Sequence, residues 1–217
     1  MIFADDKTAT ITDADPSTLS EKKSVMYDNI ASYLTNNRLV VNDTKTHIMV
    51  MSLNQRKRKT DQAVTIKTPS KEIEVSTSQR LLEINIHESL KFRDHIMVEE
   101  KSMVQKLNVR IKALKNIRNI ASFKDRLIVA NGLFMSCLVY GIQLWMWGGT
   151  EEYLRRCLQV LQNRAAKAVT GLGHFTPAKD LMRQTGWLSV KQLIFYHSVV
   201  MVKRVKESGR PGIWWTG

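Results

Sequence analysis

Cysteine is nearly absent from this chain of 217 residues, which has only Cys137 and Cys157. That excludes a disulfide scaffold and a cysteine-rich zinc site. Each cysteine lies in an apolar stretch of helical spacing, which predicts buried free thiols in a reducing compartment. His47, His87 and His95 follow no metal-ligand spacing and read as structural or surface residues. The opening Met-Ile-Phe lacks the positive n-region and long apolar stretch of a secretory leader. The expectation is an intracellular chain, nuclear or cytoplasmic and not secreted. Internal repeats are absent as well.

Acidic residues are scarce beside basic ones: 20 Asp and Glu against 33 Lys and Arg, a formal net charge of +13. Such an excess points to a polyanionic partner, most simply nucleic acid; the plainer alternative is a well-solvated basic surface. The excess is uneven. Residues 1–50 sum to −2, residues 51–125 to +7 and residues 126–217 to +8. The acidic head contains the adjacent pair Asp5-Asp6, whose carboxylates repel unless they sit on a solvated turn or cations neutralise them. Charge also vanishes from one long run, LIVANGLFMSCLVYGIQLWMWGGT from Leu127 to Thr150. It is long enough to span a bilayer. Asn131, Ser136 and Gln143 within it, and interruption by Gly132 and Gly141, favour a buried core helix, so no membrane partner is expected.

Ile2-Phe3-Ala4, Asp5-Asp6-Lys7 and Thr8–Thr12 read as strand, tight turn and strand, with both aspartates at the hairpin tip. Asp15-Pro16 starts a helix that ends at Asn36-Asn37. Leu39–Val41 and Thr46–Met51 read as strand pieces. Arg56, Lys57, Arg58 and Lys59 form either a solvated hairpin loop or a loop that contacts phosphates. Val64–Lys67 and Glu72–Val75 suit a two-stranded ribbon turning at Pro69-Ser70. Leu81–Ile86 alternates as a further strand. From Asp94 the period becomes helical, and Ile96, Val104, Leu107, Ile111, Leu114 and Ile117 predict one long amphipathic helix with Lys and Arg on its other face. Thr150 is placed to cap a helix whose stripe is Leu154, Cys157, Leu158, Leu161, Ala165 and Val169 and which Gly171 ends. Thr176-Pro177 opens a short helix that closes near Gly186, and Ser189 opens the last, through Val205. Trp145, Trp147 and Tyr140 read as core packing rather than a base-stacking platform.

Adjacent aspartates at a hairpin suit Mg²⁺, which takes oxygen ligands and keeps several waters. Alone, the pair reads equally as a solvated turn. Its context says more. FADD, followed after one helix by NNRLVVNDTKTHIMVMS, resembles the reverse transcriptases of non-LTR retrotransposons, whose catalytic hairpin reads Tyr-Ala-Asp-Asp. Asn37, Leu39, Asn42, Lys45 and Thr46 match the family segment N-x-L-x-x-N-x-x-K-T. LLEINIHESLKFRDHI then resembles the strand-and-turn segment that ends at Phe92, His95 and Ile96. LVYGIQLWMWG resembles the Tyr-Gly…Trp segment, and LQNRAAKAVTG the Gln-Asn-Arg helix. The likeness is collinear from Phe3 to about Leu193.

The resemblance implies an α+β chain: a partial polymerase palm over residues 1–92, an all-α thumb and connection over 93–207, and an irregular tail over 208–217. It implies RNA-templated DNA synthesis by two-metal nucleotidyl transfer, with Mg²⁺ as cofactor, dNTP as substrate, and an RNA template with a DNA primer, or their RNA–DNA hybrid, as partners. Asp5 would bind metal, with Asp6 beside it as a second acidic group. Lys45 would lie near the nucleotide phosphates and give a proton to the leaving pyrophosphate. Leu82, Glu83 and Ile84 would belong to the primer-gripping region, and the later basic helices, with Lys112, Lys115 and Arg118, would hold the duplex by its backbone. Phe3 stands where the family has Tyr, and Glu83 where it has Gly. The family also uses a further aspartate from a strand upstream of the hairpin, and fingers that bind the nucleotide. No other carboxylate here has that context, so the expectation is a fragment inactive as a polymerase by itself. The rival readings are a non-catalytic basic nucleic-acid-binding module and a relic without function.

Overall fold

The computed structural model describes the chain except residues 1, 4–5, 43, 52–65, 68–71, 74, 99–101, 146–151 and 209–217. Asp5, Arg56, Lys57, Arg58, Lys59, the Thr150 cap, the Pro69-Ser70 turn, Trp147 and nearly all of the tail therefore lie outside the described residues. The chain divides into two compact units between Leu90 and Lys91. Helix predominates among the described residues and the strands pair in short antiparallel ribbons, an α+β composition.

In the first unit, β1 (Ile2–Phe3) pairs antiparallel with β2 (Asp6–Lys7), Phe3 opposite Asp6 and Ile2 opposite Lys7. This corrects the hairpin expected from sequence: Asp6 belongs to the second strand rather than the tip, and Thr8–Thr12 is not a strand. Thr and Ile favour strands only where a ladder receives them, and this ladder ends at Lys7. Asp15 then caps α1 (Pro16–Asn36), accepting a hydrogen bond from the Thr18 N–H at 3.1 Å with Pro16 in the first turn. Asn37 closes the helix by donating from Nδ2 to the Tyr33 carbonyl at 2.7 Å.

Leu39–Val41 and Thr46–Met51 are not strands either. One bridge, Ile48 to Val75, is all the pairing they make among the described residues, and Val40 is almost fully exposed. Apolar β-branched runs without a neighbouring ladder stay irregular. The expected ribbon does form, from β3 (Ile66–Lys67) and β4 (Glu72–Ile73). The single strand expected over Leu81–Ile86 is instead a hairpin. Strand β5 (Ser78–Leu81) pairs with β6 (Ile84–His87), and Leu82 and Glu83 make the turn at φ 47° and 65°. Positive φ at both central residues is the requirement of a type I′ turn, which normally recruits Asn-Gly.

The second unit is helical. The long helix expected from Asp94 is interrupted: a π-helical turn covers Asp94–Val98, and a fresh start follows at α2 (Met103–Asn116), whose cap Ser102 accepts from the Gln105 N–H. Ser122 caps α3 (Phe123–Ala130), which runs through a π-helical turn at Asn131–Met135 into α4 (Ser136–Val139). Tyr140 and Gly141, the latter at φ 65°, turn the chain into α5 (Ile142–Trp145). Within Phe123–Trp145 an 18-residue window has a mean hydropathy of 1.8, enough by length and composition to cross a membrane. The stretch also contributes Phe134, Leu138, Ile142 and Trp145 to the core, all fully buried.

Next come α6 (Glu152–Thr170), α7 (Ala178–Thr185) and α8 (Val190–Ser208). Helix α6 is central, packing against α2, α3, α7 and α8 with Leu154, Leu158, Leu161, Ala165 and Val169. Gly171 and Gly186 end α6 and α7 in the left-handed region. Thr176 does not cap α7; its hydroxyl donates to the Gly173 carbonyl, and Pro177 holds the cap position. Ser189 and Gln192 form a reciprocal capping box on α8.

Two polar residues bind this unit together. Gln162 is fully buried on α6; its Nε2 donates to the Leu188 carbonyl at 2.8 Å, and its Oε1 accepts from Gln159. Gln159 Oε1 in turn accepts the Val190 N–H at 2.9 Å. Arg126 donates from Nε to the Val169 carbonyl at 2.8 Å, and from one terminal nitrogen to the carbonyls of Arg118 and Ala121 at 2.6 and 2.8 Å.

Two outcomes follow. Glu83→Gly removes the left-handed penalty of an L-residue, offset by loss of the exposed Arg80–Glu83 pair. We expect hydrogen exchange of the β5–β6 amides to slow about fivefold, for a gain of about 1 kcal/mol. Arg126→Met should cost about 2–3 kcal/mol in urea unfolding, and Arg126→Lys should recover little, because an ammonium cannot bridge the same three carbonyls.

Candidate nucleic-acid interface

The hairpin carboxylates come first. Asp6 is placed by its backbone opposite Phe3, whereas Asp5 and the Asp6 side chain lie outside the described residues. The neighbouring carboxylates serve local structure. Asp13 accepts from the Asp15 N–H at 3.0 Å and from the Lys22 ammonium at 2.6 Å, and these bonds hold its carboxyl below the ordinary range. Asp15 is committed to the helix cap. No cluster of three or more His, Cys, Asp or Glu side chains able to hold a metal occurs among the described residues.

Lys45 sits exposed on a compact Asx turn. Asn42 Oδ1 accepts from the Thr44 N–H at 3.1 Å and its hydroxyl at 2.6 Å, while the Asn42 carbonyl accepts from the Lys45 N–H at 3.0 Å. The Thr46 hydroxyl donates to the same carbonyl. Asn42 thus gathers bonds from Thr44, the Lys45 backbone and Thr46. Leu82 and Glu83 occupy the hairpin turn described above, at the position where the resemblance calls for Gly, and Ile84 is buried at the start of β6.

The second unit, Lys91–Trp215, holds 21 of the basic residues and 8 of the acidic ones, so the whole formal excess of +13 falls there. Its most ordered cationic feature is the seam between α2 and α6. Helix α2 buries Met103, Leu107, Ile111 and Leu114 and contains no acidic residue. Lys112 and Lys115 stand exposed, four and seven residues beyond Asn108 and so on the same side of α2 as that residue. Across the seam, Arg164 of α6 donates to Asn108 Oδ1 on α2 at 3.2 Å. Arg156 and Arg164 share the outer face of α6, eight residues or about 80° apart. Arg118 donates to the Gly171 carbonyl at 2.7 Å, so it fastens the end of α6 while remaining exposed. Arg164 was not among the residues expected from sequence to bind nucleic acid; its helical phase off the Leu161 and Ala165 stripe was the available signal.

Other motif residues turn out to be structural. Trp145 is fully buried and donates from Nε1 to the Tyr140 carbonyl at 2.9 Å, as core packing requires, whereas Tyr140 is half exposed. Buried His95 packs 6.4 Å from the Trp145 ring. His87 Nδ1 accepts from the Ser89 N–H. In the Gln-Asn-Arg segment, Gln162 is a core clamp and Arg164 an exposed cation that bonds Asn108. Both cysteines are free but half-buried rather than buried. Burial pushes the Cys137 thiol up, against the opposing pull of Arg110 and Lys106.

Compared with protein-family models, curated proteins and solved structures, the chain matches none.

Because burial suppresses its thiolate, Cys137 should react with iodoacetamide at pH 8 several-fold more slowly than free cysteine, as tandem mass spectrometry of the digested chain would show. Lys112→Ala with Lys115→Ala should leave the melting temperature nearly unchanged. The same pair should reduce the slope of log K against log salt for a nucleic-acid duplex by about 2.

Proposed function

We propose that this chain is part of a reverse transcriptase of the non-LTR retrotransposon type, with the hairpin of the first unit derived from the polymerase palm and the helical second unit acting as the thumb and connection that hold an RNA–DNA hybrid. The observation that carries the reading is the α2–α6 seam: Lys112, Lys115 and Arg164 on adjoining helices, with no acidic residue on α2, in the unit that holds the whole charge excess. Cations on rigid helices bind phosphates without regard to base sequence, which is what a surface gripping a sliding duplex requires.

The collinear motifs support the same assignment. Mg²⁺, held through Asp5 and Asp6, would supply the charge that activates the primer hydroxyl and steadies the leaving pyrophosphate. Lys45, exposed beyond a turn in which its backbone N–H bonds the Asn42 carbonyl, would meet a triphosphate, where an ammonium both neutralises charge and can give up a proton. These 217 residues contain the hairpin pair but no third carboxylate in a matching context, so the polypeptide by itself binds substrate without extending a primer.

A second reading, a non-catalytic nucleic-acid-binding module, is favoured by the separation of charge from the carboxylates: the excess lies entirely in the unit without the hairpin. One experiment addresses both. The purified chain is titrated with a labelled RNA–DNA hybrid at 50 and 200 mM salt, with and without Mg²⁺, beside a dNTP-incorporation assay. We expect binding that weakens at least tenfold at the higher salt, with no incorporation. Loss of hybrid affinity in Asp5→Asn under Mg²⁺ favours the polymerase-derived reading over the simple module. Incorporation abolished by Asp5→Asn would mean that the chain holds a complete catalytic site, and absence of binding at both salts would overturn both readings.

A further inference from the structure

The α2–α6 seam leaves one groove of the second unit unassigned. It lies where α7 meets the start of α8, has a volume of about 630 Å³, and is walled by Lys179, Arg183, Trp187 and Gln192. None of its lining residues is acidic. Lys179 and Arg183 are one turn apart on α7, both exposed, so their charges add over one side of the groove. Trp187 closes the floor: its ring stacks on Phe134 at 6.1 Å and its Nε1 donates to Asn131 at 2.8 Å, which makes the wall rigid. Gln192 is held by its Oε1, which accepts from the Ser189 N–H and hydroxyl at 2.9 Å, and its amide N–H groups are what it has to offer a ligand.

Beyond Gln192, the last lining residue on α8, the helix exposes two rings within its next turn. Phe195 is 72% exposed and Tyr196 54%, three and four residues beyond Gln192, and Lys191 stands exposed beside them. Two adjacent rings offered to solvent next to a cationic groove fit a ligand that has both phosphates and planar faces. A duplex does not qualify, since its bases are stacked inside and unavailable to protein rings. We infer that the groove between α7 and α8, with Phe195 and Tyr196, binds single-stranded nucleic acid: Lys179 and Arg183 take its phosphates, and the two rings stack on its unpaired bases. This rests on the nucleic-acid-binding reading above but concerns a second site. Gln159, at the groove, and Arg164, at the seam, are five residues apart on α6 and so about 140° apart around it. One strand could therefore leave a bound hybrid on one flank of α6 and be received on the other.

The test uses the full chain and two dye-labelled probes, a single-stranded oligouridine 12-mer and a blunt RNA–DNA hybrid, read by fluorescence anisotropy. Phe195→Ala with Tyr196→Ala, and separately Lys179→Ala with Arg183→Ala, should each weaken the single strand at least tenfold and leave the hybrid within twofold. Lys112→Ala with Lys115→Ala should weaken mainly the hybrid. Both ring substitutions are at exposed positions, and an unchanged circular-dichroism melt verifies folding. Single-strand affinity unchanged in both groove variants, with hybrid binding intact, overturns the inference and leaves the proposed function standing. Failure of the parent chain to bind either probe overturns both. Sedimentation with phosphatidylserine vesicles that depends on Phe195 and Tyr196, without single-strand binding, would assign the surface to lipid instead and overturn the inference.

Discussion

The guanidinium of Arg126 is the contact on which the helical unit most depends. Its position on α3 lets one side chain reach the last turn of α6, through Val169, and the turn that follows α2, through Arg118 and Ala121. Carbonyls at the C-terminal ends of helices have no partner within the helix and bear partial negative charge. A planar cation with several N–H donors satisfies them and neutralises that charge together. Arg118 repeats the device at the neighbouring Gly171 carbonyl, at 2.7 Å, where glycine supplies the left-handed φ of 77°. The orientation of α6 against α2 and α3 is thereby fixed at one end.

The other constraint is a carboxamide. Gln162 is fully buried among aliphatic side chains, and an amide left there without partners would cost several kcal/mol. Its bonds to Leu188 and Gln159, and that of Gln159 to Val190, convert this cost into specificity, since a single placement of the 188–190 segment satisfies all three groups. The start of α8 is set by that segment. The groove beside Lys179 and Arg183, and the direction in which Phe195 and Tyr196 emerge, are therefore consequences of one residue inside α6. The seam on its opposite flank owes its geometry to the same helix.

Much of the helical structure could be read from sequence because its signals are local. Asp15-Pro16, Ser189, Gly171 and Gly186 mark helix ends through chemistry contained within a turn or two, and the stripe of α6 has the period of its own burial. The strands were harder. Leu39–Val41, Thr46–Met51 and Thr8–Thr12 have the composition of strands, yet a strand exists only where a distant segment completes its ladder, and composition does not report that partner. Alternation over Leu81–Ile86 concealed a reversal at Leu82-Glu83, since neither residue announces a positive φ as Asn-Gly would. At the interface, Lys112 and Lys115 were visible as the polar face of an amphipathic helix. The bond from Arg164 to Asn108 was not, because it depends on how α2 and α6 pack. The structural duties of Arg118 and Gln162 are likewise properties of the packed unit.

Confinement of the whole charge excess to one unit has a thermodynamic consequence. Like charges on a compact body raise its free energy, so the helical unit folds against its own electrostatic repulsion, while the first unit, formally neutral, does not. A polyanion that binds the folded form relieves this strain and stabilises it by mass action. If the unit binds nucleic acid as proposed, its assembly and the loading of that polyanion are linked equilibria.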